Sequence, residues 1–339
     1  MLVGICDFPG SYAFPPAGYG GIERWLWATA IGAGLAGADV HLIGPAWQQG
    51  LEPDWTIRPV RLEDTEPGSR AAAELRDSRY DLLIVGHEYP SLRPWRRISD
   101  ELGCDVATFQ HHPDFRQAPD AFDGGTRRLF CYSAEMADRY AAHRPIRELA
   151  VHLGLGEKEP AAVDGRDLVW VGRLDEEKSP HLAAKAAGLL GRRIRFVGPV
   201  FDDDYMQHHA VLFGADHVEM VGELGGVAKT AAFASAAAFV YTCSRTYVEA
   251  GVATLGEALR AGTPVAALVW REGTCADAAL CADTGMAVTA DPDKDDDQAA
   301  EALAEAIEQA ARLSARSVQE VGLGRFDPKR HFTALAIRP

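Results

Sequence analysis

Lysine is scarce in this sequence: only six of the 34 basic residues are Lys, and the remainder are Arg. Cysteine is also sparse, with six residues at positions 6, 104, 131, 243, 275 and 281 and no C-x-x-C pair. Scattered cysteines of this kind indicate reduced cytosolic thiols, and they argue against a disulfide framework or a zinc site. Because Lys is rare here, a Lys at a chemically critical position is not explained by composition alone.

Long apolar runs are absent too. No stretch approaches the roughly 18 apolar residues that a membrane span needs. The N-terminal MLVGICDFPG lacks the basic region and the apolar core of a signal peptide. The formal net charge is −15, and both halves of the chain are acidic, which argues against nucleic-acid binding. We therefore expect a cytoplasmic protein with no nucleic-acid partner and no stable membrane anchoring.

Short apolar runs alternate with helical segments along the chain, and this rhythm occurs twice. The runs that predict strands are LVGICDF (2–8), DVHLIG (39–44), DLLIVG (81–86), DVATF (105–109), RLFCYS (128–133), DLVWVGR (167–173), IRFVG (194–198), HVEMVG (217–222), AAFVYT (237–242) and PVAAL (264–268). In the second half, helices are predicted around 180–190, 227–235, 254–261 and 299–313. The alternation predicts two doubly wound α/β domains with parallel sheets, facing each other across a cleft.

The domain boundaries follow from composition. The segment 153–167 is rich in Gly, Pro and acidic residues and is typical of a linker. We place the first domain at residues 1–155 and the second at 160–319. The segment of about 320–339 is a candidate to pack back on the first domain. Ligands of doubly wound domains bind at the carboxyl ends of the strands, so candidate residues are sought there.

Two glycine-containing loops follow predicted strands. In PPAGYGGIERW (15–25), Gly20 and Gly21 lie where a loop meets a helix N-terminus, whose N–H groups can hold a phosphate; a flexible turn is the alternative. In WVGRLDEEKSP (170–180), a strand ends at Gly172, and Arg173 and Lys178 follow on one loop. Two such cations can bind a diphosphate, and a solvated charged loop is the alternative.

The most specific motif is an E-x7-E pattern from Glu249 to Glu257, followed by ALRAGTPV. Its two carboxylates bracket a loop that opens a helix, so backbone N–H groups can face phosphates while the carboxylates accept hydrogen bonds from sugar hydroxyls. An ordinary acidic helix start is the alternative. By contrast, GAGLAG (32–37) spells the dinucleotide fingerprint but closes a helix instead of opening one, which argues against a nicotinamide cofactor.

Several other clusters have simpler explanations. The acidic run 202–204 is typical of the start of a helix, not of a metal site. The paired histidines 111–112 and 208–209 lack a third ligand at a metal spacing. The basic cluster 93–97 is most simply a solvated helix start, with contact to an anionic acceptor or to a membrane surface as the alternative.

In their order and spacing, the three motifs resemble the retaining GT-B glycosyltransferases of family four, the E-x7-E type. The resemblance implies two Rossmann-like domains, with a nucleotide diphosphate sugar, UDP-linked, bound by the second and an acceptor bound by the first. It implies transfer to a hydroxyl of a small-molecule or oligosaccharide acceptor with the anomeric configuration kept, and no cofactor or metal. The Arg-, Ala- and Gly-rich composition and the compact length suggest a natural-product pathway, and the resemblance implies antibiotic biosynthesis of the avilamycin type. A nucleotide-sugar-binding protein and an epimerase remain as alternatives.

The resemblance also assigns roles to residues. It implies that Arg173 and Lys178 bind the diphosphate and stabilise the leaving nucleotide, that Glu249 contacts the donor sugar, and that Glu257 contacts the ribose. The backbone N–H groups implied to approach the donor belong to Gly251, Val252, Ala253, Thr254 and Leu255, beside Gly172, with Gly20 and Gly21 on the other side. A catalytic His is implied at His111 or His112, although Gln110 occupies the column of a gapless alignment; this choice stays open.

The sequence departs from the family pattern at two places. Ser179 stands where the family has Gly after E-K. In the loop after Glu249, Gly251 has moved forward by one position, and Val252 occupies the Gly column. These departures affect the backbone contacts and the donor-sugar preference that the resemblance implies.

Overall fold

Two parallel sheets organise the chain, each in its own unit. The computed structural model describes residues 1–7, 20–50, 54–61, 64, 66, 68–86, 100–114, 118–123, 126–152 and 159–337. The first unit is Met1–Leu155 with Phe326–Pro339, and the second is Gly156–Arg325. The basic cluster 93–97 lies outside the described residues.

The sheet of the first unit has seven described strands. They are β1 (Leu2–Cys6), β2 (Asp39–Ile43), β3 (Thr56–Arg58), β4 (Leu82–Val85), β5 (Asp105–Phe109), β6 (Arg127–Cys131) and β7 (Ile146–Arg147). The spatial order is β3-β2-β1-β4-β5-β6-β7, and all neighbours are parallel. Strand order reverses between β1 and β4, which makes the carboxyl ends of these strands the expected place for a ligand.

The sheet of the second unit has six described strands. They are β8 (Asp167–Val171), β9 (Ile194–Val197), β10 (Val218–Gly222), β11 (Ala236–Tyr241), β12 (Val265–Val269) and β13 (Gly285–Thr289). The order is β10-β9-β8-β11-β12-β13, again parallel throughout. Every residue of β11 and β12 is buried, so these strands read as continuous apolar runs. Here the order reverses between β8 and β11.

Helices connect the strands. They are α1 (Gly21–Leu35), α2 (Arg70–Ser78), α3 (Ala134–Arg139), α4 (Pro180–Leu189), α5 (Asp203–His208), α6 (Ala210–Phe213), α7 (Gly226–Ala234), α8 (Ala253–Arg260), α9 (Cys275–Ala279), α10 (Asp296–Ala310), α11 (Ala315–Arg325) and α12 (Pro328–Ala336). Within the described ranges, none of these helices has the length and apolarity to cross a bilayer.

The strand predictions agree with the structure except at the sheet margins. All ten predicted strands are present, with ends shifted by up to two residues, and the four predicted helices correspond to α4, α7, α8 and α10. Three strands were not predicted: β3, β7 and β13. They lie at the outer edges of the sheets, and β3 and β7 are only three and two residues long, too short to show the apolar run that marks a buried strand. The predicted class, two doubly wound parallel-sheet domains, is confirmed.

The last helix of the chain packs on the first one. A Cβ added to Gly32 would lie 2.0 Å from the carbonyl oxygen of Pro328, so α1 and α12 approach too closely for a larger residue. The buried Trp25 indole donates a hydrogen bond to His331 Nε2 at 2.8 Å. Burial lowers the pKa of His331 to about 3, so the imidazole is neutral and can accept. The GAGLAG segment therefore closes α1, as its position predicts, and its Gly32 permits the close approach of α12.

Candidate active site

A short loop, residues 172–179, leaves the carboxyl end of β8 in the second unit. We call it the cationic loop after Arg173 and Lys178, although it also carries acidic residues. Gly172 N donates to Val197 O at 3.0 Å, and the two strand ends lie close together. Gly198 has φ +149°, and a Cβ there would lie 1.7 Å from Gly172 O, so only glycine fits. The loop therefore starts from a fixed point next to the place where strand order reverses.

Arg173 is held by carboxylates of its own loop. Its Nη1 lies 3.0 Å from Asp175 Oδ2, and its Nη2 lies 2.7 Å from Glu177 Oε2. The guanidinium also lies 5.2 Å from the centre of the Phe201 ring. These contacts orient the cation, and an anionic ligand that binds Arg173 must compete with two acids for it.

Lys178 and Glu249, which lie far apart in sequence, are in direct contact through Nζ and Oε2. Their side chains are 15% and 14% exposed. The ammonium also lies 4.8 Å from the centre of the Tyr247 ring. Burial lowers the pKa of Lys178 to about 8, so most of the ammonium remains charged at neutral pH. The first carboxylate of the E-x7-E motif thus joins the cationic loop in one site.

The backbone around Lys178 is fixed from both sides. Lys178 N donates to Asp175 Oδ1 at 2.9 Å, and Lys178 O accepts from Thr242 Oγ1 at 2.7 Å. The same hydroxyl accepts from Trp170 Nε1 at 2.9 Å. These bonds tie the cationic loop to the end of β11, so the lysine is placed by the sheet and not by a free loop.

The backbone at Ser179 has a conformation that favours glycine, the residue that the family pattern has at this position. Ser179 caps α4 with φ +45°, in the left-handed region that disfavours side chains. Its hydroxyl donates to Glu176 O at 2.8 Å. The loop therefore keeps the geometry of a glycine turn although a serine occupies it.

The loop after Glu249 leads directly into α8. Val252 is the N-cap residue with φ −101°, an ordinary conformation, and no side chain caps the helix. Ala253 and Thr254 begin the first turn, Leu255 is fully buried, and Gly251 precedes the cap. Because Glu257 is the fifth residue of the helix, it is not an ordinary first-turn acid. The backbone N–H groups at the start of this helix can donate hydrogen bonds to an anion.

Glu257 is paired with a residue that the sequence did not point to. Lys229 on α7 places Nζ 2.8 Å from Glu257 Oε1 and 2.7 Å from Oε2. Each carboxylate of the E-x7-E motif is therefore in contact with one of the six lysines. No motif surrounds Lys229, and the scarcity of Lys was the one signal in the sequence that marked it.

A surface depression of ≈520 Å³ lies beside Arg173. Its lining, apart from Arg173 and Phe201, is acidic and consists of Asp175, Glu176, Glu177, Asp202, Asp203 and Asp204. Asp202 caps α5 by accepting from Tyr205 N at 2.9 Å, and Asp203 and Asp204 form the first turn. The acidic run therefore opens a helix, as predicted.

Four predicted residues belong to the first unit: Gly20, Gly21, His111 and His112. Gly20 is the N-cap of α1 with φ +156°, and Gly21 opens the helix with no atom within 4 Å of an added Cβ. Among the described residues, no side chain caps this helix either.

The two histidines follow β5 and differ in environment. The ring of His111 packs 5.0 Å from both Trp25 and Phe109, measured between ring centres. His112 is exposed, and its Nδ1 accepts from Asp114 N at 3.1 Å. Gln110 is 2% exposed; its Oε1 accepts from His112 N, while its Nε2 has no hydrogen-bond partner in the part of the chain that is described. His112 is thus the more exposed of the two histidines.

The second unit matches a family model. Residues 156–320 match the family described as "Glycosyl transferases group 1". This segment includes Arg173, Lys178, Glu249 and Glu257. The prediction that the protein is a glycosyltransferase is confirmed by this match. No curated protein sequence matches the chain significantly.

Solved structures share the fold over nearly the whole chain. AviGT4, a glycosyltransferase involved in avilamycin A biosynthesis, is 20% identical with a TM-score of 0.71, covering 99% of this chain and 96% of that one. Alr3699/HepE from Anabaena, solved in complex with UDP-glucose, is 15% identical with a TM-score of 0.64, covering 99% and 98%. WaaG, a glycosyltransferase involved in lipopolysaccharide biosynthesis, is 16% identical with a TM-score of 0.64, covering 99% and 98%. The predicted GT-B fold is confirmed.

Proposed function

We propose that this glycosyltransferase moves a sugar from a UDP-linked donor to an acceptor hydroxyl and keeps the anomeric configuration. The observation that carries the proposal is the contact between Lys178 and Glu249 at the carboxyl ends of the second sheet. A cation suited to a diphosphate and a carboxylate suited to sugar hydroxyls are thereby placed within one side-chain length of each other.

The cations act on the leaving group. As the bond to the anomeric carbon breaks, negative charge develops on the departing diphosphate. Arg173, Lys178 and the uncapped N–H groups at the start of α8 are arranged in advance to stabilise that charge, so the proposed reaction needs no metal or other cofactor. The diphosphate replaces the present acidic partners of the cationic loop. Glu249, released from Lys178, is then available to the hydroxyls of the donor sugar.

Retention follows from attack on the same face of the sugar that the diphosphate leaves. Retaining hydrolases instead use a carboxylate nucleophile placed about 5–5.5 Å from a second acid. We assign Glu249 to binding the sugar and not to attacking it, because the resemblance to the retaining transferases implies no nucleophilic carboxylate beneath the sugar.

The first unit recognises the acceptor in this proposal. His112 is the catalytic histidine of this unit. The likeness to AviGT4 and to the UDP-glucose complex of HepE supports a natural-product acceptor and a UDP-linked donor. The six free cysteines support a cytoplasmic location.

The test is a donor screen with stereochemical analysis. We expect release of UDP from UDP-sugars in the presence of acceptor, no effect of EDTA, and a product with the donor's anomeric configuration by NMR. An inverted product would contradict retention. Epimerised donor without acceptor would instead indicate the epimerase alternative, and donor binding without any UDP release would indicate a binding protein.

A further inference from the structure

Lys229 contacts both oxygens of the second carboxylate of the E-x7-E motif. Its Nζ lies 2.8 Å from Oε1 and 2.7 Å from Oε2 of Glu257, and the two side chains are 14% and 8% exposed. The lysine belongs to α7 and the glutamate to α8, so the pair depends on the packing of two helices that are separate in sequence.

Stability does not explain this pair. Removing two charges from water is costly, and an apolar pair of similar volume often stabilises a protein as well or better. At the other end of α7, the buried side chains are apolar: Ala232, Phe233 and Ala234. A charge is therefore present at Lys229 for a reason other than packing, and the group it touches is the carboxylate assigned to a ligand.

The geometry suits the orientation of an acceptor group. The ammonium donates a hydrogen bond to Oε1 and lies within ion-pair distance of Oε2, and these two distances restrict the rotation of the carboxylate plane. A carboxylate has about four lone-pair sites, so binding one ammonium does not exhaust it. Two neighbouring hydroxyls of a ribose are donors that match a carboxylate held in this way.

We propose that Lys229 is a positioning residue that presents Glu257 to the ribose diol and makes the site selective for ribonucleotide over 2′-deoxyribonucleotide donors. The inference rests on the proposed function, because it takes Glu257 as the ribose contact. It adds to that function a residue from a different helix and a preference within the donor class.

The test measures the affinity of the full chain for uridine diphosphate and for 2′-deoxyuridine diphosphate by calorimetry. A hydrogen bond to a charged acceptor is worth enough to give the wild type a roughly ten- to hundredfold preference for the ribonucleotide. In Lys229→Met we expect this ratio to fall to within about threefold, through weaker ribonucleotide binding. Lys229→Arg should keep most of the preference.

A neighbouring ion pair provides the control. Arg260, on the same helix as Glu257, contacts Glu159 and is buried. Glu159→Gln should lower the melting temperature without changing the ratio of the two affinities. If Lys229→Met leaves the ratio of the two affinities unchanged, whether or not both affinities fall, the lysine has only a structural role and the inference is wrong. If the wild type binds neither nucleotide, the proposed donor fails first, which is a distinguishable result.

Discussion

Lys178 keeps its charge where burial opposes it. Transfer of an ammonium from water into a protein interior favours the neutral amine, and the pKa of Lys178 is lowered to about 8. The adjacent Glu249 carboxylate and the Tyr247 ring favour the charged form. The pKa of Lys178 therefore lies close to neutral pH, so its side chain loses its charge when the solution becomes mildly alkaline.

Activity should fall on the alkaline side because of this lysine. The cation is present below its pKa, so kcat/KM should decline as pH rises through about 8. In Lys178→Arg the guanidinium stays protonated, and the decline should disappear even though the rate is lower. The profile is measured from pH 6 to 10 at saturating acceptor. A decline that persists unchanged in the Arg variant would assign it to another group.

Individual residues were predictable where they belong to a motif. Arg173, Lys178, Glu249 and Glu257 were identified because their spacing carries the resemblance. Lys229 was not, because its contact with Glu257 arises only when α7 packs on α8. The acidic partners of Arg173 were equally hidden, since a loop sequence does not reveal which side chains turn back on it.

The cationic loop ends at the start of α4, where Ser179 is the N-cap residue. Ser179 adopts φ +45° there, whereas Ser133, which caps α3, has φ −129° and accepts from Met136 N at 3.2 Å. The same residue type thus serves two helix starts with opposite backbone requirements.

Glycine substitutions at these two serines should act in opposite directions. Ser179→Gly should raise the free energy of unfolding by about 1 kcal/mol, because a side chain in the left-handed region is unfavourable. Glu176 O keeps a backbone donor, Ser179 N at 3.2 Å, after the hydroxyl is lost. Ser133→Gly should lower the stability by a few tenths of a kcal/mol or more. Urea unfolding measures both, and a destabilised Ser179→Gly would contradict the strain argument.

Strands that are buried on both faces of the sheet were predictable from the sequence. Central strands such as β8 and β12 appear in the sequence as apolar runs between turn residues. At the sheet edges the outcome differed from strand to strand: β3, β7 and β13 were not predicted, whereas β10, with three exposed residues, was predicted from HVEMVG. The helices α11 and α12 follow one another near the end of the chain, where a single break at Phe326 and Asp327 separates elements of different units.

At the scale of the whole molecule, the charge of −15 is at odds with an anionic donor. Long-range attraction does not help such a ligand, so binding must depend on local cations. The three cations placed at the candidate site, Arg173, Lys178 and Lys229, are each paired with a carboxylate. Each of these cations is therefore neutralised by a carboxylate until the diphosphate replaces that carboxylate as its partner.

The most direct test of the account compares two lysines of the second unit. Lys178→Gln removes the charge but leaves an amide that can donate to Glu249, so the buried carboxylate keeps a partner. Lys185→Gln is the matched control, because Lys185 forms an exposed pair with Asp297 at 2.6 Å. We predict that kcat/KM for the donor falls by about 10²–10³ in Lys178→Gln and stays within about twofold of the wild type in Lys185→Gln, with both proteins folded. Near-normal turnover by Lys178→Gln would contradict the assignment of this lysine to the leaving diphosphate.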